Sequence, residues 1–118
     1  MRAKILFVDD DPSIRALFRA LLSDRYAVEE ASRLDEARRL LIQSDFDLIV
    51  LDVTLPDGSG LDLCQEIRSD RRLRLLPILI LSGGGREDKF AAFRVGADRH
   101  INKPYSPIEL LDAIRELL

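Results

Sequence analysis

With 118 residues, 33% of them charged, and a formal net charge of −3, the chain has the length of one domain (1–118) and lacks the basic footprint of a surface that binds nucleic acid directly. Its 47% apolar share is that of an ordinary globular protein, and a single cysteine excludes an internal disulfide. No apolar run approaches the ~18 residues needed to cross a membrane, and no signal-peptide pattern with a cleavage site is present, so the expectation is a cytoplasmic protein without a membrane partner.

The first apolar run, near 4–9, reads as a strand closed by two acids, Asp9-Asp10. Asp11-Pro12 marks a helix start, a capping carboxylate followed by proline at the first helical position, and Ile14, Leu17, Phe18 and Leu21 form an apolar stripe behind it. The segment 26–30 is a more polar strand, suited to a sheet edge. Ser32 is placed to cap a second helix that carries Leu34, Ala37, Leu40 and Leu41 inward. An almost wholly aliphatic run near 47–51 ends at Asp52. Ser59 caps a third helix, on which Cys64, between Leu61 and Ile67, is expected as a packed core thiol. The arginine-rich stretch from Arg68 to Arg74 falls in a loop and reads as solvated surface.

A further run near 77–81 ends in a hydroxyl, Ser82. The hinge Gly83-Gly84-Gly85 leads into a short helix over 86–95, apolar at Phe90 and Phe93 and stopped by Gly96. It lacks the Lys-Ser/Thr that would make the glycines a phosphate-binding loop. The strand 99–102 delivers Lys103-Pro104. Ser106-Pro107-Ile108-Glu109 then opens a last helix with a capping box and an N1 proline, and Ile108, Leu111, Ile114 and Leu118 follow at helical spacing.

Five alternations of strand and helix predict parallel strands joined by right-handed crossovers, an open α/β sheet with helices on both faces. Ligands bind such sheets beyond the carboxyl ends of the strands, where the strand order reverses. An order of 2-1-3-4-5 puts that reversal between the strands ending in Asp9-Asp10 and in Asp52. Three carboxylates on one rim repel each other, and a hard cation with oxygen ligands, Mg2+, resolves the repulsion. No His/Cys cluster supports zinc. Asp52, alone on its strand, is placed as a nucleophile that forms an acyl phosphate. Ser82 can hydrogen-bond one phosphoryl oxygen and Lys103 can neutralise another.

Over essentially its full length the chain resembles the receiver domain of two-component response regulators. The matching segments are Ile5-Leu6-Phe7-Val8-Asp9-Asp10 with Arg15, Leu51-Asp52 with Leu55-Pro56 and Gly60-Leu61, Ile80-Leu81-Ser82-Gly83, Gly96-Ala97-Asp98 and Lys103-Pro104-Tyr105. The resemblance implies a flavodoxin-like (βα)5 three-layer sandwich with Asp52 as phosphoryl acceptor. It further implies Asp10 as direct magnesium ligand, Asp9 as its partner through water, and a backbone carbonyl ligand at Thr54. Ser82 resembles the hydroxyl that swings to the phosphate and Lys103 the lysine that pairs with it, while Gly83 is small beside the incoming donor. The implied donor is the phosphohistidine of a histidine kinase or histidine phosphotransfer protein. The implied output face is helix four, strand five and helix five, read by an effector domain or a downstream protein. The isomer of the Lys103-Pro104 bond stays open.

Two positions depart from the family pattern. Three residues before the lysine, where Tyr or Phe is usual, stands His100, the one histidine of the chain. It is either a core or surface histidine with no special role or the mark of an altered switch that favours relay. Gly84, two after Ser82, cannot orient a hydrolytic water, so no unusually fast loss of phosphate is expected. Two other functions remain open at this point. Asp9-Asp10-Asp11 loosely resembles the nucleophile motif of haloacid-dehalogenase-type phosphatases, with Asp9 as nucleophile and Asp11 as acid. A receiver fold working as an interaction module without phosphorylation is the other.

Overall fold

The computed structural model describes residues 2–118. Five strands, β1 (Lys4–Val8), β2 (Ala27–Ala31), β3 (Leu48–Asp52), β4 (Ile78–Ser82) and β5 (Arg99–Asn102), form one parallel sheet in the order β2-β1-β3-β4-β5. The helices are α1 (Pro12–Leu22), α2 (Leu34–Gln43), α3 (Gly60–Ser69), α4 (Gly85–Arg94) and α5 (Pro107–Leu117). A minor two-residue ladder pairs Thr54–Leu55 with Gly58–Ser59. This is the predicted flavodoxin-like order. None of the helices among the described residues is long and apolar enough to cross a membrane.

The central strands are continuously aliphatic because both faces of the sheet are covered. Ile5, Phe7, Leu48, Val50, Leu79, Leu81 and Ile101 point to one face and pack against Phe18 and Leu22 of α1 and Leu110, Ala113 and Ile114 of α5. The alternate residues, Leu6, Val8, Ile49, Leu51, Ile78 and Ile80, meet α2, α3 and Ala92 of α4 on the other. Phe7 and Phe18 stack with ring centroids 3.7 Å apart. Strand β2 is the polar edge expected; its Glu29 and Glu30 pair with Lys4, Arg15 and Arg19. Cys64 is fully buried, and burial pushes its thiol up to about 11.

Local caps at Asp11, Ser59 and Ser106 form as expected, each side chain accepting a backbone N–H of its own first turn. Elsewhere the structure departs from expectation. Ser32 does not cap α2. Its backbone N–H and its hydroxyl both donate to Glu36, while the side chain of Asp57, from the loop after β3, accepts from the Leu34 and Asp35 N–H groups at 2.8 and 3.1 Å. On α1 the core contact is made by Phe18 and Leu22, and Leu17 stays half exposed. Ile108 is exposed, leaving Leu110, Ala113 and Ile114 as the inner stripe of α5. Phe90 and Phe93 face outward as well, at 71% and 45% exposure. Helix α4 rests on Ala92, whose small side chain lets the helix lie close to the sheet.

The arginine run is not merely solvated surface. Arg68 donates to the carbonyls of Gly96, Arg74 and Leu76 and pairs with Asp98, tying α3 to the turn before β5. Gly96 has φ +100, and a Cβ there would lie 2.8 Å from the Arg68 side chain. Arg72 likewise reaches Leu41 O and Asp45. Removing Arg68 strips the acceptors Gly96 O and Leu76 O of a charged donor, so Arg68→Ala should lower unfolding free energy by about 1–3 kcal/mol in urea titration. The buried, protonated Cys64 thiol should resist maleimide labelling at pH 8 in the native protein and react rapidly once the chain is unfolded.

Candidate functional site

Parallel register brings the functional side chains to one rim. Val8 pairs with Leu51, and β3 closes on Asp52, which pairs with Leu81 of β4. Asp9 and Asp10 follow β1 directly, Asp9 N–H still donating to Ala31 O of β2. Ser82 closes β4 opposite Asn102, and Lys103 is the next residue of the chain, its N–H donating to Ser82 O at 2.7 Å. Asp9, Asp10, Asp52 and Lys103 therefore meet at the predicted switch point, and Ser82 stands on the same rim at the end of the adjacent β4.

Asp9, Asp10 and Asp52 each offer a carboxylate oxygen within 4.8 Å of the others. Asp9 and Asp52 are buried, at 1% and 5% exposure, and Asp10 is exposed. One oxygen of Asp9, Oδ1, accepts the Asp11 N–H at 2.9 Å. The other, Oδ2, is buried without a hydrogen-bond partner among the described residues, with Lys103 Nζ 3.7 Å away. Burial is the main cause that raises the Asp9 pKa, and the Asp52 charge adds to it against the Asp11 hydrogen bond. Asp52 Oδ2 accepts from Lys103 Nζ at 2.8 Å, and its Oδ1 from the Thr54 N–H at 3.3 Å. Burial disfavours the Lys103 ammonium, yet the hydrogen bond and charge of Asp52, then Asp9, outweigh it and raise the lysine pKa. One ammonium thus faces two buried carboxylates with a third at their edge. A partnerless buried oxygen within an all-oxygen donor set is what a hard dication satisfies, so the residues present fit Mg2+.

Several neighbours were not legible as site residues. Arg15 donates to Asp9 O at 2.7 Å and pairs with Glu30, fixing the end of β1. Gly60 starts α3 beneath the end of β3: its N–H donates to Val53 O, and a Cβ would lie 2.1 Å from Asp52 O. Only glycine fits there. At Gly83, by contrast, a Cβ would meet nothing within 4 Å, so its size answers to nothing inside the chain. Ser82 is 1% exposed and its Oγ lies 2.7 Å from His100 Nε2. The Lys103-Pro104 bond is cis. An open groove of about 550 Å3 runs from Asp9 and Asp10 between α1 and α5, walled by Ile14, Leu17, Leu21 and Tyr105. Its signal in the sequence was an apolar stripe on α1 wider than the core requires.

The fold and this rim define a signalling module of the CheY type. The family described as response regulator receiver domain matches residues 5–115, and the chain belongs to it. Among curated relatives, the transcriptional regulatory protein GltR of Pseudomonas aeruginosa is 42% identical over 116 residues, 97% of this chain and 48% of that protein. The chain thus spans about half the length of the curated relatives it matches. Chemotaxis response regulator CheY4 of Vibrio cholerae superposes with a TM-score of 0.93 at 33% identity, all of both chains covered. The receiver domain of a Pseudomonas aeruginosa sensor histidine kinase, solved with magnesium coordinated in its active-site cleft, superposes at 0.88 with 25% identity over 99% of this chain and 98% of that one. Neither the phosphatase reading at Asp9 nor the phosphorylation-independent one gains support, and Asp11 is already engaged as the α1 cap.

A carboxyl whose folded pKa is raised opposes folding when ionised. Without metal, Asp9→Asn should therefore stabilise the fold at pH 7. That difference should vanish as the pH falls to where Asp9 is protonated in both folded and unfolded chains. Paired chemical denaturation at the two pH values checks both parts.

Proposed function

We propose that Asp52 accepts a phosphoryl group from the phosphohistidine of a histidine kinase or histidine phosphotransfer protein, and that the loaded domain signals through the surface of α4, β5 and α5. The observation that carries this reading is the buried Asp52 carboxylate, which takes Lys103 Nζ at 2.8 Å while the same ammonium lies 3.7 Å from the partnerless oxygen of Asp9. Asp9, Asp10, Asp52 and the backbone carbonyl of Thr54 are the groups that would hold Mg2+. When bound, the cation draws charge from the phosphoryl oxygens and lowers the repulsion between donor and acceptor.

Asp52 is held rather than free, which favours an in-line approach of one carboxylate oxygen to phosphorus. The O–P bond forms as the P–N bond breaks, and the departing electron pair remains on the donor imidazole. Lys103 already pairs with Asp52, so the charge it neutralises moves outward onto the phosphoryl oxygens without the lysine leaving the site. Ser82, at the end of the adjacent strand, then donates to one of those oxygens. Gly83, with open space beside it, leaves room for the donor. The domain would catalyse only its own phosphorylation and dephosphorylation, and Gly84 offers no side chain to direct water.

The exposed Phe90 and Phe93 of α4 supply apolar area for an effector domain or a downstream protein in the cytoplasm. Relatives such as GltR are transcriptional regulators by name, and in a longer protein of that kind DNA contact would belong to another domain rather than to this acidic one.

A small-molecule phosphodonor tests the proposal. With acetyl phosphate and Mg2+, intact mass should show one acid-stable, hydroxylamine-labile phosphoryl group on the wild type. Chelation of the metal or Asp52→Asn should each cut the yield at least tenfold. A phosphorylated Asp52→Asn protein would locate the acceptor elsewhere.

A further inference from the structure

Ser82 has one proton to give, and the hydrogen-bond partners around it decide where it goes. Its Oγ lies 2.7 Å from His100 Nε2, the one hydrogen bond its hydroxyl makes among the described residues, and the residue is 1% exposed. Were Nε2 the donor, the Ser82 proton would be a buried donor with no acceptor. The hydroxyl therefore donates and Nε2 accepts, which leaves the ring proton on Nδ1. His100 pairs in register with Ile80, so its side chain lies on the α4 face of the sheet. There the charged groups facing it are Asp88 and Lys89 of α4; β4 carries no charge along Ile78–Ser82. Burial is the main influence on the ring and lowers its pKa, consistent with a neutral imidazole at pH 7.

A phosphoryl group on Asp52 changes the demand on that proton. Its oxygens only accept, and Ser82 can serve them only by turning its O–H away from His100. Nε2 then faces a hydroxyl oxygen whose proton is engaged elsewhere, two lone pairs against each other, unless Nε2 itself becomes protonated. We infer that His100 is a positioning residue that holds the Ser82 hydroxyl in the unloaded state, and that loading of Asp52 reverses this hydrogen bond so that Nε2–H donates to Ser82 Oγ. The inference rests on Asp52 being the phosphoacceptor. The proton reaches Nε2 either from solvent, giving an imidazolium, or by loss from Nδ1 and gain at Nε2, giving the other neutral tautomer; no bond between heavy atoms changes. A Tyr or Phe at this position has no acceptor nitrogen to take up the Ser82 proton in this way, so the device is particular to this chain's Ser82–His100 pair.

The test reads the ring nitrogens directly. Two-dimensional 15N–1H spectra of the His100 imidazole, recorded on the wild-type chain with Mg2+ alone and then with beryllofluoride added as phosphoryl mimic, should show Nε2 passing from the unprotonated to the protonated range. Backbone amide shifts around Asp52 and Thr54 report loading separately. Absence of those shifts would count against Asp52 as acceptor. Loading with Nε2 still unprotonated, or Nε2 protonated from the start, would overturn the hydrogen-bond reversal. In Ser82→Ala the ring response should disappear; its persistence would mean that His100 answers to charge alone.

Discussion

Everything at the functional rim follows from placing two buried carboxylates where a parallel sheet reverses its strand order. Asp9 and Asp52 sit there because β1 and β3 are adjacent, in register, and buried on both faces, so neither acid can withdraw into solvent. Lys103, delivered by β5 from across β4, answers part of the repulsion through its 2.8 Å contact with Asp52. It cannot answer all of it, and Asp9 Oδ2 keeps no hydrogen-bond partner among the described residues. A stable core is thus made to carry an unfavourable electrostatic arrangement at one end. That residual imbalance is a source of affinity, since any group that supplies positive charge or takes up negative charge there relaxes it.

The same geometry explains why the surrounding residues are so constrained. Gly60 lets α3 begin directly under the Asp52 carbonyl, where any side chain would collide. Arg15 secures the Asp9 carbonyl and joins β1 to Glu30 on the edge strand. On the opposite side of the rim the chain is looser. Helix α4 starts without a side-chain cap and buries one small side chain, Ala92, where α1 buries Phe18 and Leu22 and α5 buries Leu110, Ala113 and Ile114. Rigid acids on one flank and a lightly held helix on the other suit a module in which chemistry at one place alters shape at another.

How much of this the sequence disclosed depends on the range of each interaction. Strands that are buried on both faces must be aliphatic throughout, so their ends, and hence Asp9, Asp10, Asp52, Ser82 and Lys103, could be found by reading to the end of each run. Caps made within one turn, at Asp11, Ser59 and Ser106, were equally visible. The cap of α2 was not, because its acceptor is Asp57, 23 residues away from Leu34, and Ser32 had the right type in the right place. The role of Arg68 was hidden for the same reason, its partners lying as far off as Gly96 and Asp98. Phe90 and Phe93 misled in another way: their spacing fits an inward stripe, but α4 contacts the sheet through Ala92, and helical spacing alone does not say which face is buried. Within the site, the family pattern pointed to His100 as a departure, while only atomic positions showed that its ring meets the Ser82 hydroxyl.

The reach of Asp57 gives the domain a built-in asymmetry. The loop that follows Asp52 is moored at its outer end, since pulling Asp57 away would leave two amides of α2 without an acceptor. The glycine segment after Ser82 has no such anchor. Of the two loops that flank the acid rim, the first is thus tied to α2 through a side chain, and the second, three glycines long, carries no side chain that could make such a tie.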